Sequence, residues 1–460
     1  DFDPPAKHSL GQLGWCEAGL APVFETKVLE DRGDYELVQD FAGRHVLFFK
    51  GRRNGFMPEY VDHPVKDQES LEAAILWRMD PETPERYADL DARMAEAREA
   101  AGGVIQRLLP EQADSFVLET IPAVNGRDVF EIESREGQIV LRGNNAVSLS
   151  SALRWYLKYY GKCHISWVGD QLDLPDPLPV VPEKVRIVSP HEYRYAFNYC
   201  TFGYSMAFWD WERWEREIDF MAMQGINTFL AATGAEVVYR NVYRDLGLSE
   251  EDVDAFIAAP PYLPWFLMTN LVGFGGPNSD EWYDSQELLQ KKITARAREL
   301  GMKPILHAFG GHVPAALTKV FPDAKISKLG SWNGFQRVSV LDPDDPLFLE
   351  IGSRFVRENI KLYGTDHYYA ADTFNEVYPP NSDSAYLKGI SEAVYASMAE
   401  ADPEAHWVMM GWLFLSGYWT QERIEALLSG APEDRVLFLE FFPDSKPVWS
   451  RTEAYAGKPW

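Results

Sequence analysis

The sequence predicts an α/β protein in which a small α/β domain precedes a parallel sheet or barrel. Three observations carry this expectation. Beyond about residue 189, short apolar strands alternate with amphipathic helices, the pattern of repeated βα units. Just before that alternation, Pro175, Pro177, Pro179 and Pro182 make a stiff, extended connector. The stretch from His367 to Pro380, HYYAADTFNEVYPP, then runs from an aromatic, apolar strand directly into Asn375 and Glu376 before a proline pair stops it. A carboxylate just past the carboxyl end of a buried parallel strand is where βα-barrel enzymes keep catalytic groups.

At 460 residues and 46% hydrophobic, the chain can bury two or three cores. Acidic residues number 70 against 44 Lys plus Arg, giving a formal charge of −26. That balance argues against nucleic acid and anionic membrane as partners and suits a neutral or cationic ligand. There is no apolar run of about 18 residues, so no membrane span is expected. Cys16, Cys163 and Cys200 make neither a disulfide framework nor a metal site. The chain opens on Asp1 rather than Met, which a removed signal peptide or a fragment would explain.

Residues 1–96 read as an appendage of uncertain fold. Tyr35–Gln39 and Val46–Lys50 are strand-like, Asp67 opens a helical pattern, and Thr83-Pro84-Glu85 carries the cap, proline and acid of a second helix start. The run from Phe49 to Leu90 is similar to part of uroporphyrinogen-decarboxylase-like proteins and brings no complete active site. Residues 97–188 form the small α/β domain, with strands at Ser115–Glu119, Val129–Ser134 and Gln138–Arg142. Its helix AVSLSSALRWYLKYYG places Leu149, Leu153, Tyr156 and Tyr160 on one face.

In residues 189–460 the expected strands are Arg194–Cys200, Ile226–Ala232, Lys303–Phe309, 367–374, HWVMMGW and RVLFLEFF. The helix WERWEREIDFMAMQG turns Trp211, Trp214, Ile218 and Met221 inward and stops at Gly225. The helix PLFLEIGSRFVRENIKLYG does the same with Phe348, Ile351, Phe355 and Leu362. About six strands result, against the eight of a closed (β/α)8 barrel, so the barrel reads as incomplete at its carboxyl end.

The strings FNYCTFGYSMAFWDWERWEREIDFMAMQGIN, LHAFGGHVP, KLGSW, YGTDHYYAADTFNEVYPP and MMGWLF together resemble glycoside hydrolase family 89. The resemblance runs from about residue 97 to the last residue. It implies a small α/β domain, a (β/α)8 TIM-type barrel, and a retaining exo-α-N-acetylglucosaminidase activity that needs no cofactor. It assigns general acid/base catalysis to Glu376. It puts Asn198, Cys200, Trp265, Met268 and Trp412 against the sugar, and Asn375, beside Glu376, is expected as a substrate or orienting contact. The family's nucleophilic Glu belongs to a motif that no position here matches. A catalytically incomplete, carbohydrate-binding fragment is therefore the alternative reading.

The residues add their own candidates. Glu440 and Asp444 lie at and beyond the end of the last strand, and both are expected to bind sugar hydroxyls or to structure the loop. His312 opens a helix in the GGHVP turn, lining the pocket or capping that helix. Asp372 is either an inward polar contact or an orienting partner for Glu376, whose neighbours Tyr368, Tyr369, Phe374 and Tyr378 could desolvate it. His307 and His312 are five apart without an acidic or Cys cluster, so no metal is expected. No GxGxxG or GxxxxGK[ST] order occurs, which argues against nucleotide cofactors. The partner expected is a glycan, of mucin or heparan type, ending in α-linked N-acetylglucosamine. A homo-oligomer is compatible with the chain, and the expected location is extracytoplasmic: secreted, periplasmic or lysosomal.

Overall fold

The computed structural model describes residues 20, 22–50, 59–80, 88–441 and 444–460. Cys16 and the Thr83-Pro84-Glu85 helix signal lie outside the described residues. The chain divides into two units, one of residues 1–145 with 180–190, the other of residues 146–179 with 191–460. The proline connector is crossed by that division at Val180.

The first unit holds two four-stranded sheets. Strands Lys27–Arg32, Tyr35–Gln39, His45–Phe49 and Glu59–Asp62 form an antiparallel meander. Asp67 caps the helix that follows through Ser70, with both halves of a capping box present. In the second sheet, Val129–Arg135 lies between Val185–Val188 and Gln138–Gly143, and Phe116–Thr120 runs parallel to the last of these. Across it Arg142 donates to Glu119 and Glu133, while Lys184 and Arg186 bind Glu131. Opposite charges on adjacent strands stabilise the pairing register.

The second unit carries the parallel sheet. Six strands follow chain order: β1 (Tyr195–Ala196), β2 (Thr228–Leu230), β3 (Lys303–His307), β4 (Tyr368–Ala370), β5 (His406–Met410) and β6 (Val436–Leu439). Strands β2, β4 and β6 are buried along their whole length, as expected where helices cover a parallel sheet. The sheet curls. The ring of Tyr195 on β1 lies 6.3 Å from that of Phe441, just after β6.

Between β1 and β2 the helix Trp211–Met223 starts at Asp210, whose carboxylate accepts from the Arg213 N–H at 2.9 Å. Trp214, Ile218 and Met221 are buried, each such side chain contributing about 1.5–3 kcal/mol. Trp211 is only half-buried, so the apolar stripe is narrower than its spacing suggests. Gly225 ends the helix at φ +79°, a conformation that costs a Cβ-bearing residue about 1 kcal/mol. The helix Pro346–Tyr363 buries Phe348, Ile351 and Phe355 and leads to β4, whereas Leu362 is half-buried.

The strands are shorter than their sequence patterns. At the end of β1 the backbone turns at Phe197 with φ +76°, so Asn198 and Cys200 do not end a strand. Asn198 instead caps the short helix Tyr199–Tyr204, which contains Cys200. His312 does not open a helix either. It lies in a two-residue strand, His312–Val313, paired with Ser339–Leu341.

Candidate active site

Strand β4 ends at Ala370, and the next six residues bring chemistry to the carboxyl edge of the sheet. Asp372 is 3% exposed, and its Oδ1 accepts from the Met410 N–H at 2.8 Å, tying the end of β4 to the end of β5. The Trp407 indole N–H donates to the Ala371 carbonyl at 2.8 Å and reinforces the same join. Burial pushes the Asp372 carboxyl up to about 7, against the opposing pull of the Met410 N–H. Its Oδ2 has no hydrogen-bond partner among the described residues.

The chain then reverses. Phe374 and Glu376 both adopt positive φ, +61° and +55°, with Asn375 between them. Such conformations of non-glycine residues cost on the order of 1 kcal/mol or more each and persist only where the surroundings hold them. Here the loop after β2 does the holding. The Asn270 Nδ2–H donates to the Asn375 carbonyl at 2.6 Å, and the Asn375 Nδ2–H donates to Met268 Sδ at 3.2 Å. Asn375 is 5% exposed and Met268 2%, so both are buried where the turn meets the loop after β2.

The outcome of this turn is that Glu376 alone of these residues is exposed. Its Oε2 accepts from the Trp332 indole N–H at 2.9 Å. Trp332 stacks on Trp265 at 6.3 Å and 30°, and on Phe335 at 5.5 Å and 24°. Tyr204 meets Trp265 edge-on at 5.3 Å. Nearby, Tyr378 stacks on Tyr418 at 4.5 Å. Cys200 also borders the acid: burial, and then the negative charge of Glu376, push its thiol up.

Several other expected residues hydrogen-bond to groups other than Glu376. Tyr368 shares a hydrogen bond with Tyr193 and Tyr369 with Thr365 and Asp402, at the far end of β4. The Asn198 Oδ1 accepts from the Thr201 N–H and hydroxyl at 3.0 and 2.9 Å. His312 is 1% exposed, with Nδ1 at 3.1 Å from the Phe266 carbonyl, and burial drops its pKa to about 3. His307 is held between the Tyr199 and Tyr239 hydroxyls at 2.8 and 3.1 Å, and burial drops it to about 3 as well. Both imidazoles are neutral core groups. Trp412 is half-buried in the turn after β5.

Of its two expected roles, Glu440 takes that of structuring the loop. Its Oε1 accepts from the Val448 N–H and its Oε2 from the Trp449 N–H, both at 3.0 Å, and the Tyr455 hydroxyl donates to Oε2 too. Both oxygens close the loop that follows β6. Trp332 and Asn270 were not singled out in the sequence, although Trp332 stands in the KLGSW string.

Residues 194–460 match the family model described as the alpha-N-acetylglucosaminidase (NAGLU) tim-barrel domain. The chain belongs to this alpha-N-acetylglucosaminidase family. Residues 99–180 match the N-terminal domain of the same family. Human alpha-N-acetylglucosaminidase is 42% identical over 378 residues, which are 79% of this chain and 51% of the human protein. Two similar solved structures are family 89 glycoside hydrolase from Clostridium perfringens in complex with 2-acetamido-1,2-dideoxynojirmycin and with PUGNAc. Each has a TM-score of 0.74, at 29% and 30% identity, covering 88% of this chain and 45% of that one. A third, at 29% identity and with the same TM-score and coverage, holds its substrate GlcNAc-alpha-1,4-galactose. The chain spans about half the length of the relatives it matches.

Proposed function

We propose that this protein is a retaining exo-α-N-acetylglucosaminidase that removes terminal α-linked N-acetylglucosamine from glycan chains. The observation that carries the reading is the exposed Glu376 carboxylate, presented past β4 and held by the Trp332 indole in a wall of aromatic rings. In this reading Glu376 gives its proton to the glycosidic oxygen as the bond to the anomeric carbon breaks. It later takes a proton from the water that displaces the second carboxylate from the anomeric carbon. Trp332 and Trp265 present ring faces to the apolar C–H face of the sugar. Asn375, Met268 and Asn270 fix the turn on which the acid stands. Asp372 joins β4 to β5 beneath it.

An α-linked N-acetylglucosamine carries its leaving group on the same face as its acetamide, so the acetamide cannot attack the anomeric carbon from behind. A second carboxylate about 5 Å from the acid is therefore required. Glu440 does not suit that role, because both its oxygens already accept from the chain's own donors. That engagement favours a second reading in which this chain binds the sugar without turning it over.

One experiment separates the two. Wild-type protein and Glu376→Gln are compared for turnover of p-nitrophenyl α-N-acetylglucosaminide and for binding of N-acetylglucosamine. Turnover lost with binding kept supports the acid. Equal turnover in both removes Glu376 from the mechanism, and binding without turnover in the wild type supports the second reading. Among the described residues no helix is long and apolar enough to cross a membrane. An extracytoplasmic location belongs to the same proposal, since glycan chains of mucin or heparan type are displayed there.

A further inference from the structure

The aromatic wall does not stop at the two tryptophans beside Glu376. Phe335, stacked on Trp332, meets Phe274 edge-on at 5.0 Å, and Phe274 meets Tyr262 at 4.6 Å and 88°. Phe274 is 41% exposed and Tyr262 38%, although large apolar rings are normally buried. These two rings extend the chain of ring contacts that begins at Trp332, by edge-on steps of 5.0 and 4.6 Å.

The backbone that carries the outer rings is tightly held. The Ala259 N–H donates to the Phe274 carbonyl at 2.9 Å, and the Gly273 N–H donates to the Phe256 carbonyl at 2.9 Å. Gly273 has φ +62°, and a Cβ there would stand 2.2 Å from the Ala255 carbonyl oxygen, so the approach admits no side chain. Tyr262 closes a tight turn begun by Pro260 and Pro261, whose ring-locked backbone leaves little freedom to lose. A surface whose rings are already in place binds without an ordering cost.

The chemistry of the line is uncharged. The two cations that flank Phe335 in sequence are turned onto their own hairpin. Arg337 donates to the Leu329 and Lys328 carbonyls, and Lys328 donates to the Ser339 hydroxyl. With 70 acidic residues against 44 Lys plus Arg, the whole chain repels a polyanion.

We propose that Phe274 and Tyr262 form a leaving-group subsite that holds the second and third sugars of a neutral glycan, in preference to a sulfated one. This rests on the glycosidase reading above. A terminal sugar seated at Glu376 sends the rest of its chain past the acid, along the side where the aromatic line extends. There the C–H faces of uncharged pyranoses cover the exposed rings, while the charged groups of Arg337 and Lys328 stay engaged on their own hairpin.

The test is calorimetric binding in the Glu376→Gln background, so that ligands stay intact. Three probes are used: N-acetylglucosamine, a neutral trisaccharide ending in α-linked N-acetylglucosamine, and that trisaccharide sulfated on its second sugar. The neutral trisaccharide is expected to bind about tenfold more tightly than the monosaccharide, as stacking on two rings allows. Phe274→Ala combined with Tyr262→Ala should erase that gain and leave monosaccharide binding unchanged. If the double variant also loses the monosaccharide, Phe274→Leu, which keeps bulk but no ring, decides by the same comparison. A gain that survives loss of the rings, or a sulfated chain bound as tightly as the neutral one, overturns the subsite and leaves the glycosidase reading standing. Absence of monosaccharide binding in the parent protein overturns both.

Discussion

The Trp332 indole N–H donates to Glu376 Oε2 at 2.9 Å across a sequence separation of 44 residues. The bond joins the loop before the strand Ser339–Leu341 to the turn after β4, and it aims the one exposed carboxylate of that turn. A hydrogen bond to a charged group contributes about 1.5–3 kcal/mol, so its loss matters more through orientation than through folding. Trp332→Phe keeps a ring to stack on Trp265 and Phe335 but removes the donor. Turnover is expected to fall about tenfold or more, with KM moved much less. Steady-state kinetics on the nitrophenyl substrate measure this split. A change confined to KM would mean that the indole serves sugar binding alone.

Asn270 supports the same turn from below, through the Asn375 carbonyl. Asn270→Ala removes the donor and leaves a buried carbonyl unpaired, a cost of about 1–3 kcal/mol. Asn270→Asp should cost more, because an oxygen then faces the carbonyl at the 2.6 Å position now held by an N–H. Urea denaturation of the three proteins gives the order wild type, Ala, Asp from most to least stable. Ala and Asp variants as stable as the wild type would show that the turn does not depend on this bond.

Much of this was legible in the sequence, and the failures share a cause. The β4 segment could be read because an uninterrupted aromatic and apolar run leads directly into Asn375 and Glu376. The inward faces of the helices could be read because 3.6-residue spacing survives in Trp214, Ile218 and Met221. Strand ends could not. Phe197 and Phe374 are apolar residues that extend the pattern, yet both sit at positive φ because tertiary contacts bend the chain there. Trp332 lies in a loop without periodicity, so only its place in a family string marked it. Glu440 shows what the sequence left open. A strand-end acid can serve the pocket or the loop, and the choice is made only where the chain returns eight residues later to place the Val448 N–H on it.

That contact has a direct consequence. Glu440→Gln keeps one carbonyl acceptor but loses the charge that binds two backbone N–H groups and the Tyr455 hydroxyl. Stability is expected to fall by about 1–2 kcal/mol, the usual worth of a helix-start acceptor. N-acetylglucosamine affinity should stay within experimental error. Differential scanning calorimetry and calorimetric titration check the two halves. A large loss of affinity with unchanged stability would return Glu440 to the sugar site.

The buried titratable groups near the site pull stability in opposite directions with pH. Burial raises the Asp372 carboxyl from its ordinary 3.8 to about 7, so its contribution is fully present below about pH 4 and is lost as pH rises toward 7. His307 behaves in reverse. Burial lowers it from 6.5 to about 3, so its contribution is present above 6.5 and is lost as pH falls toward 3. Each group bends the stability curve by up to about 1.4 kcal/mol per pH unit within its window. Asp372→Asn keeps an acceptor for the Met410 N–H and removes the ionisation. Its stability between pH 4 and 7 should decline less steeply than that of the wild type. His307→Gln keeps polar atoms between Tyr199 and Tyr239, and its stability should fall less steeply between pH 6.5 and 4. Urea midpoints across pH 4–8 for the three proteins test both signs at once. Parallel curves for the wild type and Asp372→Asn would mean that the carboxyl is ionised in the fold over this whole range, and that the join between β4 and β5 rests on a charged acceptor.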